Sequence, residues 1–249
     1  MYYRSTKDDS VLIRELTQMA ENLPSRGLDE FVGRLRAKGH KWNRKRIYRV
    51  YKTLMLNKRK RPKKRLVARQ PEPLTQPIKP NISWSMDFMS DSLINGRKIR
   101  IFNVIDDFNR EALCCNAQHS YPSEFVVRAL KDLEVQVGLP SKIRVDNGPE
   151  FLSNNFKEFC ETKGISIQYI EPGKPNQNAY IERFNRHLRE DILDAYLLET
   201  LKQTNELLEN WRDDYNQNHP HKSLKGVSPS AYKELFSKAK IYSDSVKAK

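Results

Sequence analysis

Apolar residues recur at intervals of three and four through the first 56 positions, then change to alternation beyond residue 82. In the first segment Leu12, Leu16 and Met19 share one helical face that ends near Pro24. Leu28, Phe31, Val32 and Leu35 mark a second helix over 28–38, broken by Gly39 and His40. Asn43 is placed to cap a third helix, in which Ile47, Val50, Tyr51 and Leu54 face inward. Helix, short Gly-containing turn, helix is the plan of a helix-turn-helix module, here over 1–56. From 57 to 80 the periodicity lapses. A basic run is followed by Pro71, Pro73, Pro77 and Pro80, which predicts a basic, Pro-rich linker.

Ile82, Trp84, Met86 and Phe88 then alternate as a strand requires. Ile99, Ile101 and Val104 predict a second strand and Ala112-Leu113-Cys114 a third, with Asn95-Gly96 as the hairpin turn between the first two. A helix over 123–137 carries Phe125, Val126, Ala129, Leu130 and Leu133. It is followed by a short strand over 142–145, a helix over 154–163, a strand over 165–170 and a long helix over 178–198. A three-strand meander followed by alternating helix and strand implies an α/β core over 81–235, a mixed five-stranded sheet flanked by helices with a C-terminal helical extension. Residues 236–249 form a basic tail, and no internal repeat is visible.

Charge sharpens the division. The formal net charge is +14, and residues 1–70 hold 21 Lys/Arg against 6 Asp/Glu while the remainder holds 24 against 25. So concentrated a basic segment is the footprint of a polyanion such as DNA, although a solvated basic surface gives the same composition. Arg44, Lys45, Arg46 and Arg49 lie on the third helix, where a recognition helix meets phosphates and bases. The linker's basic run can track a DNA backbone, and a nuclear-import signal has the same composition. The longest uninterrupted apolar run is four residues, so neither secretion nor membrane spanning is expected. Cys114 and Cys115 should point to opposite faces of a strand. With Cys160 they read as buried thiols of a reducing cytoplasm rather than zinc ligands.

Three acids stand at the ends or centres of predicted elements: Asp87 in the first strand, Asp146 at the end of the fourth, and Glu182 on the long helix. Asp87 and Asp146 are separated by 58 residues, Asp146 and Glu182 by 35. Three carboxylates brought together from separate elements can hold two divalent metals for phosphodiester chemistry. Hard oxygen donors suit Mg2+, with Mn2+ as a substitute. Arg186 and Arg189 follow Glu182 by four and seven residues, on the same predicted helical face, as a phosphate grip requires. Lys174 and Asn178 lie in or beside a Gly/Pro-containing loop, Pro172 to Asn178, with the composition of a flap. These four are further candidates for holding DNA. Asp106 and Asp107 read as turn or capping residues, Glu150 as support for the Asp146 turn, and Asp91 as solvent-exposed.

Taken together, Trp84-Ser85-Met86-Asp87-Phe88, Val145-Asp146-Asn147-Gly148-Pro149-Glu150-Phe151 and Ala179-Tyr180-Ile181-Glu182-Arg183-Phe184-Asn185 resemble the motifs of the DDE transposases. The likeness is to bacterial insertion-sequence family three, related to retroviral integrases. It extends to Trp211, Tyr215-Asn216, Pro220-His221, Leu224 and Ser228-Pro229. The resemblance implies an RNase H-like fold. It also implies a metal-dependent transposase, with Asp87, Asp146 and Glu182 as catalytic metal ligands, that cleaves element ends and joins them to target DNA. Implied partners are terminal inverted repeats and target DNA, further copies of the chain in a synaptic complex, and an upstream-frame product carrying a leucine zipper. The implied location is the bacterial cytoplasm, at the nucleoid. A nuclease of the same fold that only hydrolyses, and a non-catalytic DNA-binding regulator of transposition, remain the alternatives.

Overall fold

The computed structural model describes residues 8–57, 74–171 and 175–247, which divide into two compact units. The first contains α1 (Ser10–Asn22), α2 (Leu28–Ala37) and α3 (Arg44–Thr53). The helical spacing is realised as a core: Leu12, Leu16, Met19, Phe31, Val32, Leu35, Ile47, Val50 and Tyr51 are all buried. Full burial of each such side chain contributes about 1.5–3 kcal/mol relative to exposure. Asn43 caps α3 as its position predicts, its side chain accepting from the Lys45 N–H at 2.8 Å. Gly39, at φ 87°, reverses the chain after α2, a backbone geometry that disfavours a side chain.

Residues 218–227, expected to belong to the α/β core, instead join this helical unit. His219 Nδ1 lies 3.0 Å from Glu30 Oε1, and Pro220 packs against Gly33 so closely that a Cβ there would meet it at 2.5 Å. The segment is too short and irregular for a periodic sequence pattern to place it.

The second unit is built on five strands: β1 (Ser83–Ser92), β2 (Lys98–Asp106), β3 (Ala112–Gln118), β4 (Lys142–Val145) and β5 (Ser166–Tyr169). Their order is β3-β2-β1-β4-β5, antiparallel through the meander and parallel from β1 to β5. The mixed sheet is the one the alternation predicts. Helices α4 (Ser123–Val137), α5 (Pro149–Leu152) and α6 (Asn154–Thr162) belong to the β3–β5 half of the chain; α7 (Ala179–Leu188), α8 (Leu201–Asn218) and α9 (Pro229–Lys247) complete it. Period-two geometry divides β1 between two cores. Trp84, Met86 and Phe88 pack with α4 and α6, whereas Met89 packs with Ile181, Phe184 and Leu188 of α7. The odd-numbered face of β1, with Asp87 on it, therefore looks toward α7.

Three expectations change. The 178–198 helix ends at Leu188 and widens into a π-helical turn, Arg189–Leu193. The basic tail continues α9 to Lys247. Most of the 57–80 linker lies outside the described residues, but its end is anchored: Gln76 donates to the Phe108 carbonyl at 2.6 Å, and the Tyr180 hydroxyl to that of Leu74 at 2.9 Å. Among the described residues no helix is long and apolar enough to cross a membrane.

Candidate active site

The end of β4 begins the site. Asp146 follows Val145, and its Oδ1 accepts the Gly148 N–H at 3.0 Å, closing a tight turn. Asn147 ties the turn to the sheet by donating to the Ile170 carbonyl at 2.9 Å. Pro149 opens α5 with the φ that a first helical turn requires. A Cβ on Gly148 would stand 3.0 Å from Asp146 Oδ1 and 3.2 Å from Glu150 Oε2, so glycine lets the backbone pass between two carboxylates. Glu150 does more than support the turn. Its Oε1 pairs with Arg100, whose guanidinium lies 4.3 Å from the Phe88 ring centroid.

Asp87 is held from the side by α7. Asn185 donates to Asp87 Oδ2 at 2.7 Å, and Asn103, its cross-strand partner on β2, donates to Asn185 Oδ1 at 2.8 Å. Burial pushes the Asp87 carboxyl up to about 6, and the negative charges of Asp146 and Glu182 push in the same direction against the Phe88 N–H and Asn185. The three predicted acids thus share one electrostatic neighbourhood. Among the described residues, no three His, Cys, Asp or Glu side chains form a group that could hold a metal as they stand. Glu182 sits in the first turn of α7, its carboxyl raised by burial while Arg186 opposes the shift.

The other candidates are more scattered. Arg186 is exposed one turn beyond Glu182. Arg189 lies in the π-helical turn and bonds Asp91 and the Ser90 carbonyl, both at 3.2 Å, so Asp91 is an ion-pair partner rather than a free surface acid. Asn178 is buried at the start of α7, and Lys174 lies outside the described residues. In the helical unit Arg44 pairs with Asp29, Arg46 with Asp9 at 2.7 Å and Arg49 with Asp9 at 2.5 Å, while Lys45 is exposed. Arg44 and Arg49 remain about half exposed, and exposed pairs of this kind hold weakly enough for a phosphate to replace the carboxylate.

The Cys114 and Cys115 side chains do divide between the two faces of the sheet. Burial pushes Cys114 and Cys160 up to about 12 and raises Cys115 as well, so none is poised as a thiolate nucleophile.

Asp106 and Asp107 part company. Asp106 is the expected turn residue, accepting the Asn81 and Phe108 N–H groups at 2.9 and 2.8 Å. Asp107 is instead a buried ion-pair centre. It binds Arg144 at 2.8 Å and the hydroxyls of Ser83 and Ser85 at 2.8 and 2.6 Å. Neighbouring acids at a strand end read as a turn; the long-range partners that bury one of them have no local signal.

Known proteins are similar to this chain along most of its length. A family described as Integrase core domain matches residues 77–175, and a second of the same description matches 163–229. A protein of insertion element IS407 from Burkholderia multivorans is 35% identical over 225 residues, covering 90% of this chain and 81% of its own length. One of insertion element IS476 from Xanthomonas euvesicatoria is 36% identical over 227 residues, covering 91% of this chain and 66% of its own. The chain belongs to the insertion-element proteins that carry an integrase core domain. A chain of the simian T-cell lymphotropic virus intasome, solved with PP2A regulatory subunit B56 gamma, superposes with a TM-score of 0.53 at 17% identity. The superposition covers 83% of this chain and 70% of that one, a likeness of fold.

Proposed function

We propose that this protein is a transposase that cleaves DNA at the ends of its element and joins them to a target by phosphodiester transesterification. What supports the reading is the electrostatics of Asp87 on β1, whose carboxyl is raised by burial and further by the charges of Asp146, at the end of β4, and Glu182, in the first turn of α7. A buried carboxyl raised further by two neighbouring negative charges marks a place where a cation is wanted.

All three donors are hard oxygens, which fits Mg2+ or Mn2+. Asp87, Asp146 and Glu182 would hold the ions. A pair of such ions, when bound, supplies an activated attacking hydroxyl and a stabilised leaving oxygen. The chain's own groups do the rest. Asn185 orients the Asp87 carboxylate, the Asn147-Gly148 turn fixes Asp146, and Arg186 presents positive charge beside Glu182 for a backbone phosphate. The helical unit, with Lys45, the displaceable Arg44 and Arg49, and Arg46, holds the element end. Several copies of the chain bring two ends and a target together, and the transesterification is direct, with no covalent protein–DNA intermediate.

The test uses labelled element-end duplexes in Mg2+. Asp87→Asn, Asp146→Asn and Glu182→Gln should each lower cleavage by roughly 10³-fold or more, as loss of transition-state charge stabilisation does, with DNA affinity retained. Full activity in any one of the three would remove that residue from the site.

A further inference from the structure

The hairpin between β2 and β3 carries a group of buried polar residues outside the carboxylate site, and three of its contacts fall two residues before one of the three acids. Asp107 accepts from the hydroxyl of Ser85, two residues before Asp87. It pairs with Arg144, two residues before Asp146. Ser85 and Arg144 are themselves register partners across the parallel β1–β4 ladder. Three residues after Asp107, the Arg110 guanidinium lies 3.5 Å from the ring centroid of Tyr180, two residues before Glu182.

The cost of this arrangement shows that it is specified. Asp107, Arg144, Ser85 and Arg110 are each more than nine-tenths buried. Arg110 adopts φ 63°, a left-handed conformation unfavourable for an arginine, and its Nη1 has no hydrogen-bond partner. Arg144 Nε is likewise unpaired. Buried charges and a strained backbone are poor ways to gain stability, since an apolar set of the same volume serves as well or better. Directional bonds do something an apolar set cannot, which is to fix the register of three separate elements against one another.

We propose that Asp107 and Arg110 form a positioning network that sets the spacing of the three carboxylates. In a strand, residues two apart share a face, so fixing Ser85 fixes where Asp87 emerges on β1, while fixing Arg144 sets the end of β4 from which the Asp146 turn departs. Tyr180 acts differently. Residues two apart on a helix do not share a face, so the Arg110 stack sets the position of the first turn of α7 rather than the Glu182 side chain. Ser85, Asp107, Arg110 and Arg144 are buried and act on the site through the elements they tie together. They are positioning residues, and for its kinetic arm the proposal rests on the strand-transfer reading.

The experiment uses the full chain and two readouts: Mn2+ affinity by calorimetry, and kcat and KM for joining of an element-end duplex. Asp107 itself is a poor probe, because removing its charge strands Arg144 in the interior. Ser85→Ala and Tyr180→Leu are gentler, and Tyr180→Phe restores the stacking ring. Thr204→Ala removes a buried hydroxyl on α8 that bonds the Thr200 carbonyl rather than any residue of the network, and controls for lost stability. Ser85→Ala and Tyr180→Leu should weaken Mn2+ binding and lower kcat by about 10-fold at unchanged KM, the effect usual for groups that orient metal ligands. Tyr180→Phe and Thr204→Ala should stay within about twofold of the parent in both. Ser85→Ala and Tyr180→Leu behaving like Thr204→Ala would overturn the proposal, as would a parent chain that binds no Mn2+. A parent that binds Mn2+ but joins no DNA would instead defeat the strand-transfer reading, and the Mn2+ affinities of the variants would still decide the network.

Discussion

Asp87 pays for function in stability. Its carboxyl titrates near 6 in the folded chain against an ordinary value of 3.8, so the folded state binds the extra proton between those values. Stability therefore falls as pH rises through that window and stays reduced above it. Asp87→Asn removes the penalty and should raise the stability of the metal-free protein at pH 7.5 by about 1–2 kcal/mol, while flattening its pH dependence between about 4 and 6. Urea unfolding of the two proteins across that range checks it; an asparagine variant no more stable than its parent would mean that Asp87 carries no such strain. At this scale the sequence is informative where chemistry is local. Asp146-Asn147-Gly148-Pro149 announces a turn with an acid at its mouth, and the structure uses every residue of it. Asn185 gives no such signal, because its link to Asp87 spans 98 positions. Asp107 reads as a turn residue for the same reason, its Arg144 partner lying 37 positions away.

At the level of elements, periodicity locates α1 to α3 and all five strands, because each buries one face against a continuous core. The π-helical turn at Arg189–Leu193 escapes it. Its register change depends on tertiary partners such as Trp211, whose Nε1–H donates to the buried Asp191 at 2.9 Å. The third helix carries the most direct test of the proposed DNA contact. Asn43→Ala removes the cap that Lys45 N–H uses and should destabilise the helical unit by about 1 kcal/mol. Lys45→Ala should leave folding intact and lower the slope of log affinity against log salt by about 1, the loss of one phosphate contact. Titrations at several salt concentrations distinguish the two, and an unchanged slope in Lys45→Ala would take that residue out of the interface.

Across the whole molecule, charge asymmetry separates a basic helical unit from a nearly neutral catalytic one, and composition alone reveals that split. What composition conceals is that the chain returns to the helical unit at 218–227, where Pro220 sits on Gly33 and His219 faces Glu30. Gly33→Val should lower DNA affinity and the melting temperature while leaving Mn2+ affinity unchanged, since no backbone shift that accommodates its side chain is needed in the sheet; calorimetry on both ligands checks it. Loss of Mn2+ binding in that variant would show that the two units do not fold independently. The central claim remains chemical, that three carboxylates make this chain a strand-transfer enzyme. Its most direct test is joining of a labelled element-end duplex to a plasmid in Mg2+ by the parent chain and by Glu182→Gln. Joined product from the parent and none from the variant is the expected result. Equal joining by both would contradict the claim, because a fold that joins DNA without Glu182 does not use this site.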